Sequence, residues 1–236
     1  MKTSALGGGS PVVGVVACLH GNEPLGRKAI ELLKNVPLKR GMLFFLFANE
    51  EAAEENKRFI DADLNRCFPG NVNGNHEERL AVEILEKIKY CDYVIDVHAT
   101  TAKTEAFIIM TKELKKIAGL IPLKKVVKMG KGIASGKALI DYANNGLSLE
   151  FPLDFSAERV KECIFEFLKA LGMADGVFIK KEQEYYEAYG IKEWKDCCLL
   201  ENFKETEMDG EVFYPVLYGE KEYKGILCLK AKKKGF

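Results

Sequence analysis

Short apolar runs alternate along this chain with stretches of helical period, and that alternation limits the fold more than any other feature. Val12 to Leu19 is continuous, β-branched and bounded by turn formers, as expected of a strand buried on both faces. Pro24 then stands where a first helical residue would, and Gly26 to Val36 carries Ala29, Ile30, Leu32 and Leu33. Met42 to Phe47, Tyr93 to Val97, Glu105 to Met110 and Leu147 to Phe151 read as further strands, the last stopped by Pro152. Asn75 with Glu78 three residues on gives a capping-box start to a helix reaching about Tyr90. Ser156 to Leu171 sets Val160, Cys163, Ile164, Phe167, Leu168 and Leu171 on one face of another helix. The pattern predicts an α/β protein with a mostly parallel or mixed central sheet and flanking helices.

After Gly172 the pattern changes. Tyr, Glu and Lys dominate Val177 to Ile191, and Val212 to Tyr218 and Ile226 to Leu229 read as strands. Residues 1–172 are expected to form the main domain. Residues 173–236 are expected as a small C-terminal β subdomain or an antiparallel extension, marginal alone at that size and packed on the first.

Charge and cysteine content narrow the setting. Lys plus Arg and Asp plus Glu both number 35, so the chain lacks the basic surplus of a nucleic-acid binder. The four lysines between Lys230 and Lys234 read as a solvated tail. The seven cysteines form an odd set without a CxxC pair, which fits reduced thiols in a cytoplasmic protein better than disulfides or a zinc ribbon. Val15-Val16-Ala17-Cys18 resembles a lipoprotein cleavage box, but the apolar stretch before it is too short. No membrane association is expected.

Ligands of open α/β sheets bind beyond the carboxyl ends of the strands. His20-Gly21-Asn22-Glu23 follows the first strand, Asp96-Val97-His98-Ala99-Thr100-Thr101 ends the third, and Glu150 ends the fifth. Two imidazoles and two carboxylates thus meet at one edge, which is a ligand set for His₂Glu zinc with a carboxylate to spare. HxxE alone is weak in a glutamate-rich chain, and a strand-end histidine is often structural. The added weight comes from Arg58-Phe59-Ile60-Asp61-Ala62-Asp63-Leu64-Asn65-Arg66, which lies on an unusually long polar connection between residues 49 and 75.

Together with Phe68 and the opening Gly8-Gly9-Ser10-Pro11, these motifs resemble the aspartoacylase and succinylglutamate desuccinylase family, of zinc-carboxypeptidase-like fold, over about residues 8 to 152. The resemblance implies that His20, Glu23 and His98 bind one zinc per chain and that Glu150 is the catalytic carboxylate. It further implies that Arg58 polarises the carbonyl, and that Asn65 and Arg66 clamp a substrate carboxylate. Within Pro215 to Tyr223, Tyr223 is similar to a substrate-binding tyrosine of the family. The implied activity is a zinc amidohydrolase that removes the N-acyl group from a small carboxylate-bearing amino acid. Zinc-bound water attacks, Glu150 accepts and returns the proton, and Arg58 stabilises the oxyanion.

Alternatives stay open at this point. One is a metallocarboxypeptidase trimming short peptides, another a zinc- or ligand-binding protein without turnover, and a third a thiol nucleophile at Cys18 or Cys67. Arg58 and Arg66 could instead form surface ion pairs with Asp61 and Asp63. Asp63 is expected to brace its own loop, Asp96 to support His98, Cys18 to share a face with His20, and His76 to lie on the surface. One departure from the family stands out: no arginine occurs between Arg79 and Arg159, where acid-specific members carry one. Lys137 or Lys131 could replace it only as point charges. The expected partner is a small molecule, neither nucleic acid nor membrane, and a homo-oligomer is left open.

Overall fold

The computed structural model describes residues 1–130, 133, 136–194 and 199–235. Lys131, Cys197 and Cys198 lie outside the described residues. In chain order the elements are β1 (Lys2–Gly8), β2 (Val12–Ala17), α1 (Pro24–Leu33), β3 (Gly41–Phe47), α2 (Glu50–Glu54), α3 (His76–Ile88) and β4 (Tyr93–Thr100). They continue with β5 (Phe107–Met110), α4 (Lys115–Ala118), β6 (Lys125–Met129), α5 (Leu139–Tyr142), β7 (Gly146–Pro152) and α6 (Ala157–Ala170). Four strands follow: β8 (Glu184–Glu193), β9 (Thr206–Met208), β10 (Glu211–Val216) and β11 (Ile226–Lys234).

Among the described residues eleven strands join one sheet in the order β1-β3-β2-β4-β7-β5-β6-β8-β11-β10-β9. The sheet is mixed. β3-β2-β4-β7 run parallel at its centre, whereas β5 turns antiparallel against β7 and β1 against β3. A parallel β6–β8 pair carries the sheet into the antiparallel β8-β11-β10-β9 group. This is the α/β sheet with flanking helices that the apolar runs predict.

Strand alternation sorts the core into two layers. Val13, Val15 and Ala17 pack with Leu43 and Phe45 against Ala29, Ile30 and Leu33 of α1 and Val160, Ile164 and Phe167 of α6. Val16, Leu46 and Val94 point the other way, against Leu80, Ala81, Ile84 and Ile88 of α3. The period-2 pleat divides each strand between the layers, which is why these runs are apolar throughout. A third cluster, with Phe107, Ile109, Val127, Tyr186 and Val216, extends the second face toward the C-terminal strands.

Helix boundaries follow the cap chemistry read from the sequence. Asn75 accepts from Glu78 N while the Glu78 carboxylate accepts from Asn75 N, so α3 starts with a full capping box. Ser156 caps α6 through Arg159 N. Two features differ from expectation. β1 lies on the sheet edge with mostly exposed side chains, so it carries no apolar signature. The lysine-rich end is not a free tail but the second half of β11, where Lys230, Lys233 and Lys234 pair with Glu211, Glu184 and Glu187 at 2.8, 2.6 and 3.0 Å.

Candidate active site

β2 and β4 are adjacent and parallel, so their carboxyl ends open at the same edge. His20 and Glu23 follow β2, and His98 stands near the end of β4, opposite Glu150 of β7. Nδ1 of His20 lies 2.6 Å from Oε1 of Glu23, and Nδ1 of His98 lies 3.1 Å from Oε2 of the same carboxylate. All three are buried, and one ligand atom from each can be chosen within 4.8 Å of the others. The far nitrogens are held as well: His98 Nε2 is 2.7 Å from Asp96 Oδ2, and His20 Nε2 is 3.1 Å from Asp63 Oδ1. For His98, a carboxylate on the Nε2–H side leaves Nδ1 free to ligate and fixes the ring plane; His20 Nε2 also has Arg58 Nη2 at 3.0 Å. Two imidazoles so oriented, with a carboxylate between them, fit a zinc ion by donor type.

The electrostatics follow from these close contacts. Burial opposes charge on both rings, but Glu23 with Asp63 raises the pKa of His20, and Asp96 with Glu23 raises that of His98 well above its ordinary value. Burial likewise opposes ionisation of Glu23 and Asp63, yet the histidines hold both carboxyls far below the usual range. Glu150 behaves in the opposite way. Burial, with the nearby charges of Glu23 and Asp96, outweighs His98 and His20 and pushes its carboxyl up to about 7.

The polar connection delivers the arginines. Arg58 donates to Asp63 Oδ2 at 3.2 Å and to Glu23 Oε1 at 3.4 Å, and its guanidinium lies 5.8 Å from the Tyr223 ring centre. It therefore does pair with Asp63, but inside the site and not on the surface. Arg66 has neither Asp61 nor Asp63 as an ion-pair partner within bridging distance; it donates to Asn65 O at 2.8 Å and to the Tyr223 hydroxyl at 3.4 Å. Asn65 Oδ1 accepts from Leu139 N at 3.0 Å, which leaves its amide nitrogen available. Asp63 braces its loop as expected, accepting from Asn65 N at 2.9 Å, and reaches His20 at the same time.

Two residues essential to this geometry were not among those expected. Glu77 is fully buried, and its carboxylate accepts from Asn49 Nδ2, Ile60 N, Asp61 N and Ala62 N at 2.7 to 3.0 Å. It anchors the segment that carries Arg58, Asp63, Asn65 and Arg66. The available signal was its place on the apolar stripe of α3 with Leu80, Ala81, Ile84 and Ile88. Glu220, from the turn after β10, accepts from Thr101 N at 3.0 Å, Thr101 Oγ1 at 2.8 Å and the Thr100 hydroxyl. This ties the Leu217 to Tyr223 segment onto the end of β4.

Gly21 explains itself by close approach. A Cβ there would sit 2.3 Å from the Ala52 carbonyl carbon and the Ala53 nitrogen of α2, so only glycine lets that helix close on the His20 loop. Cys18 departs from expectation. Its φ of 59° breaks the alternation after Ala17, and the side chain enters the core instead of sharing a face with His20. Burial pushes the thiols of Cys18 and Cys67 up to about 11, and neither acts as a nucleophile near neutral pH. His76 is part-buried, its Nε2 3.3 Å from Asn49 Oδ1. Lys137 is exposed and does not line the site.

Beyond Glu150 the site opens into a cavity of about 140 Å³, lined by Asn65, Arg66, Tyr223, Glu220 and a broad apolar wall. A smaller recess of about 20 Å³ lies among His20, Glu23, Arg58, His98 and Tyr223.

Residues 10–118 match the succinylglutamate desuccinylase/aspartoacylase catalytic domain. The resemblance read from the motifs is thereby borne out, and over those residues the chain is similar to that family. It is 31% identical over 115 residues to a probable aspartoacylase of Acaryochloris marina, covering 42% of this chain and 38% of that one. It is 35% identical over 74 residues to succinylglutamate desuccinylase of Pseudomonas fluorescens, covering 29% and 21%. The matches thus span about two-fifths or less of these relatives' length. Among solved structures, murine aminoacylase 3 superposes with a TM-score of 0.76 at 19% identity, over 96% of this chain and 97% of that one. The succinylglutamate desuccinylase/aspartoacylase of Rhodobacter sphaeroides gives 0.75 at 14% identity, over 99% and 89%. The fold is the carboxypeptidase-like one of these structures. No helix among the described residues is long and apolar enough to cross a membrane.

Proposed function

We propose that the protein is a zinc-dependent hydrolase that removes the N-acyl group from a small, carboxylate-bearing N-acyl amino acid. The observation that carries this reading is the convergence of His20, Glu23 and His98 on one point beside a Glu150 carboxyl raised to about 7. Zinc held by those three side chains, one per chain, supplies Lewis acidity to the scissile carbonyl. Glu150 takes a proton from the attacking water and passes it to the leaving nitrogen, a task suited to a group that titrates near neutrality. Arg58 is already charged and fixed by Asp63, and its guanidinium faces the oxygen that gains negative charge. Arg66, with the free amide of Asn65 and the Tyr223 hydroxyl beside it, binds the substrate carboxylate.

Residues 173–236 act in this reading as a subdomain that walls the site through Leu217, Glu220 and Tyr223. The confined cavity favours a small molecule over an extended peptide, and the spare carboxylate at Glu150 favours turnover over simple metal binding.

The test combines metal analysis with kinetics. About one zinc per chain is expected in the wild type, lost in His98→Ala and retained in Glu150→Gln, with turnover of N-acyl amino acids falling at least 100-fold in both. Since the base form of Glu150 is required, kcat/KM should climb as pH rises from 5 to 8. A wild type that takes up no metal even after reconstitution refutes the proposal.

A further inference from the structure

The cavity wall away from the histidines is apolar, and strand register explains why. Residues paired across neighbouring strands project from the same face of a sheet. His98 pairs with Glu150, Glu150 with Phe107, Ser148 with Ile109, and Ile109 with Val127. Met129 lies two residues beyond Val127 and pairs with Ala188. One face of the sheet therefore runs from the metal-ligand end through Glu150 to Ile109 and Met129, where it merges with the third core cluster. Ile140, Leu217, Ile226 and Leu229 close the cavity from α5, the turn after β10 and β11.

The charges on this lining are few and unbalanced. Away from His20 and His98, Arg66 is the one cation among the described residues of this lining, while Glu150 and Glu220 both contribute carboxyl groups. Arg66 and Asn65 stand on this cavity, so the carboxylate-bearing amino-acid half of a substrate belongs in it. The small recess beside His20, Arg58 and His98 is left for the carbonyl that is attacked. One substrate carboxylate occupies Arg66. A second would be buried against the apolar wall, with no further cation among the described residues there and with the carboxyl groups of Glu150 and Glu220 beside it, which is strongly unfavourable. An apolar side chain would instead exchange water for the isoleucine and leucine wall.

We propose that the amino acid released by this enzyme carries an apolar side chain, branched aliphatic or aromatic, and not a second carboxylate. The space suffices, since an engineered apolar cavity of about 150 Å³ admits a benzene ring. The inference rests on the N-acyl amino acid hydrolase reading above and adds to it the class of side chain.

The experiment has two arms. Turnover of N-acetyl-leucine, N-acetyl-phenylalanine, N-acetyl-aspartate and N-acetyl-glutamate is measured with zinc-loaded wild type, and calorimetric binding of the same four with Glu150→Gln. The apolar pair should show kcat/KM at least 100-fold higher and should bind more tightly. Met129→Arg, or Leu229→Lys if that variant does not fold, should narrow the ratio at least tenfold by giving the wall a cation. Equal or better use of the acidic pair overturns the inference and leaves the hydrolase reading standing, as does a ratio unmoved by the added cation. Selective binding of the apolar pair without turnover by the wild type supports the cavity's selectivity and overturns the hydrolase reading. Failure to bind any of the four overturns the inference.

Discussion

Replacing Glu77 by glutamine should loosen the segment that carries four of the site's side chains, although Glu77 itself touches no substrate. Its Oε1 accepts from Asn49 Nδ2 and Ile60 N, and its Oε2 from Asp61 N and Ala62 N. A glutamine keeps the shape but turns one oxygen into an NH₂ group, so two of the four donors face another donor. Hydrogen bonds to a charged group contribute about 1.5–3 kcal/mol each, and the lower figure applies because Ile60 and Asp61 lie near solvent; two lost bonds come to about 3 kcal/mol. For a chain of this size each kcal/mol moves Tm by about 2–4 °C, so Glu77→Gln should melt roughly 6–12 °C lower. Displacement of Arg58 and Arg66 by an ångström should also lower kcat/KM about 100-fold.

The pH dependence has a definite sign. The backbone donors of Ile60, Asp61 and Ala62, with Asn49, outweigh burial and hold the Glu77 carboxyl below its ordinary value. A depressed folded pKa contributes stability that is present above the unfolded value and lost as pH falls through the folded one. The Tm gap between wild type and Glu77→Gln should therefore be full at pH 7 and shrink as pH is lowered from about 5 toward 3. Differential scanning calorimetry across that range gives the answer. A gap under 1 °C at pH 7, or one that widens in acid, would refute the reasoning. Glu78→Ala is the control, since it removes the capping-box bond to Asn75 N and leaves the 60–62 segment untouched, and it should cost about 1 kcal/mol.

Three further outcomes follow from the geometry. Gly21→Ala forces a Cβ against the α2 backbone and should cost at least about 2 kcal/mol by denaturant titration, with weaker zinc retention because the shift falls on the His20 loop. Tyr223→Phe removes the hydroxyl beside Arg66 but keeps the ring near Arg58, so KM should rise severalfold with kcat changed less. Glu220→Gln weakens the tie between the Leu217–Tyr223 segment and Thr100–Thr101; limited proteolysis should become faster within that segment, and unchanged cleavage would count against its role as a clasp.

The alternation of apolar runs with helical periods determined the α/β class, because a strand covered on both faces must be apolar at every position. Cap residues at Asn75 and Ser156 determined where two helices begin, since those side chains satisfy donors within a few residues of themselves. The His20, Glu23, His98 and Glu150 cluster was legible because parallel strands bring their carboxyl ends to one edge, which order along the chain already implies. Where an interaction depends on a partner far away in sequence, local pattern is silent. Glu77 stands in the first turn of α3, where nothing local shows that residues 60–62 wrap its carboxylate. The lysines of β11 looked solvated until Glu184, Glu187 and Glu211 were brought alongside them by strand pairing. Cys18 followed the strand period on paper, but one left-handed backbone angle redirected it into the core. The apolar wall was likewise invisible, because Ile109, Met129, Ile140, Ile226 and Leu229 are ordinary apolar residues one by one. Only strand register sets Ile109 and Met129 on the same sheet face as Glu150, and only packing brings Ile140, Ile226 and Leu229 to the same cavity. Residue type and local period sufficed for the edge where His20, Glu23 and His98 meet; the charge balance of the cavity was decided by which distant strands became neighbours.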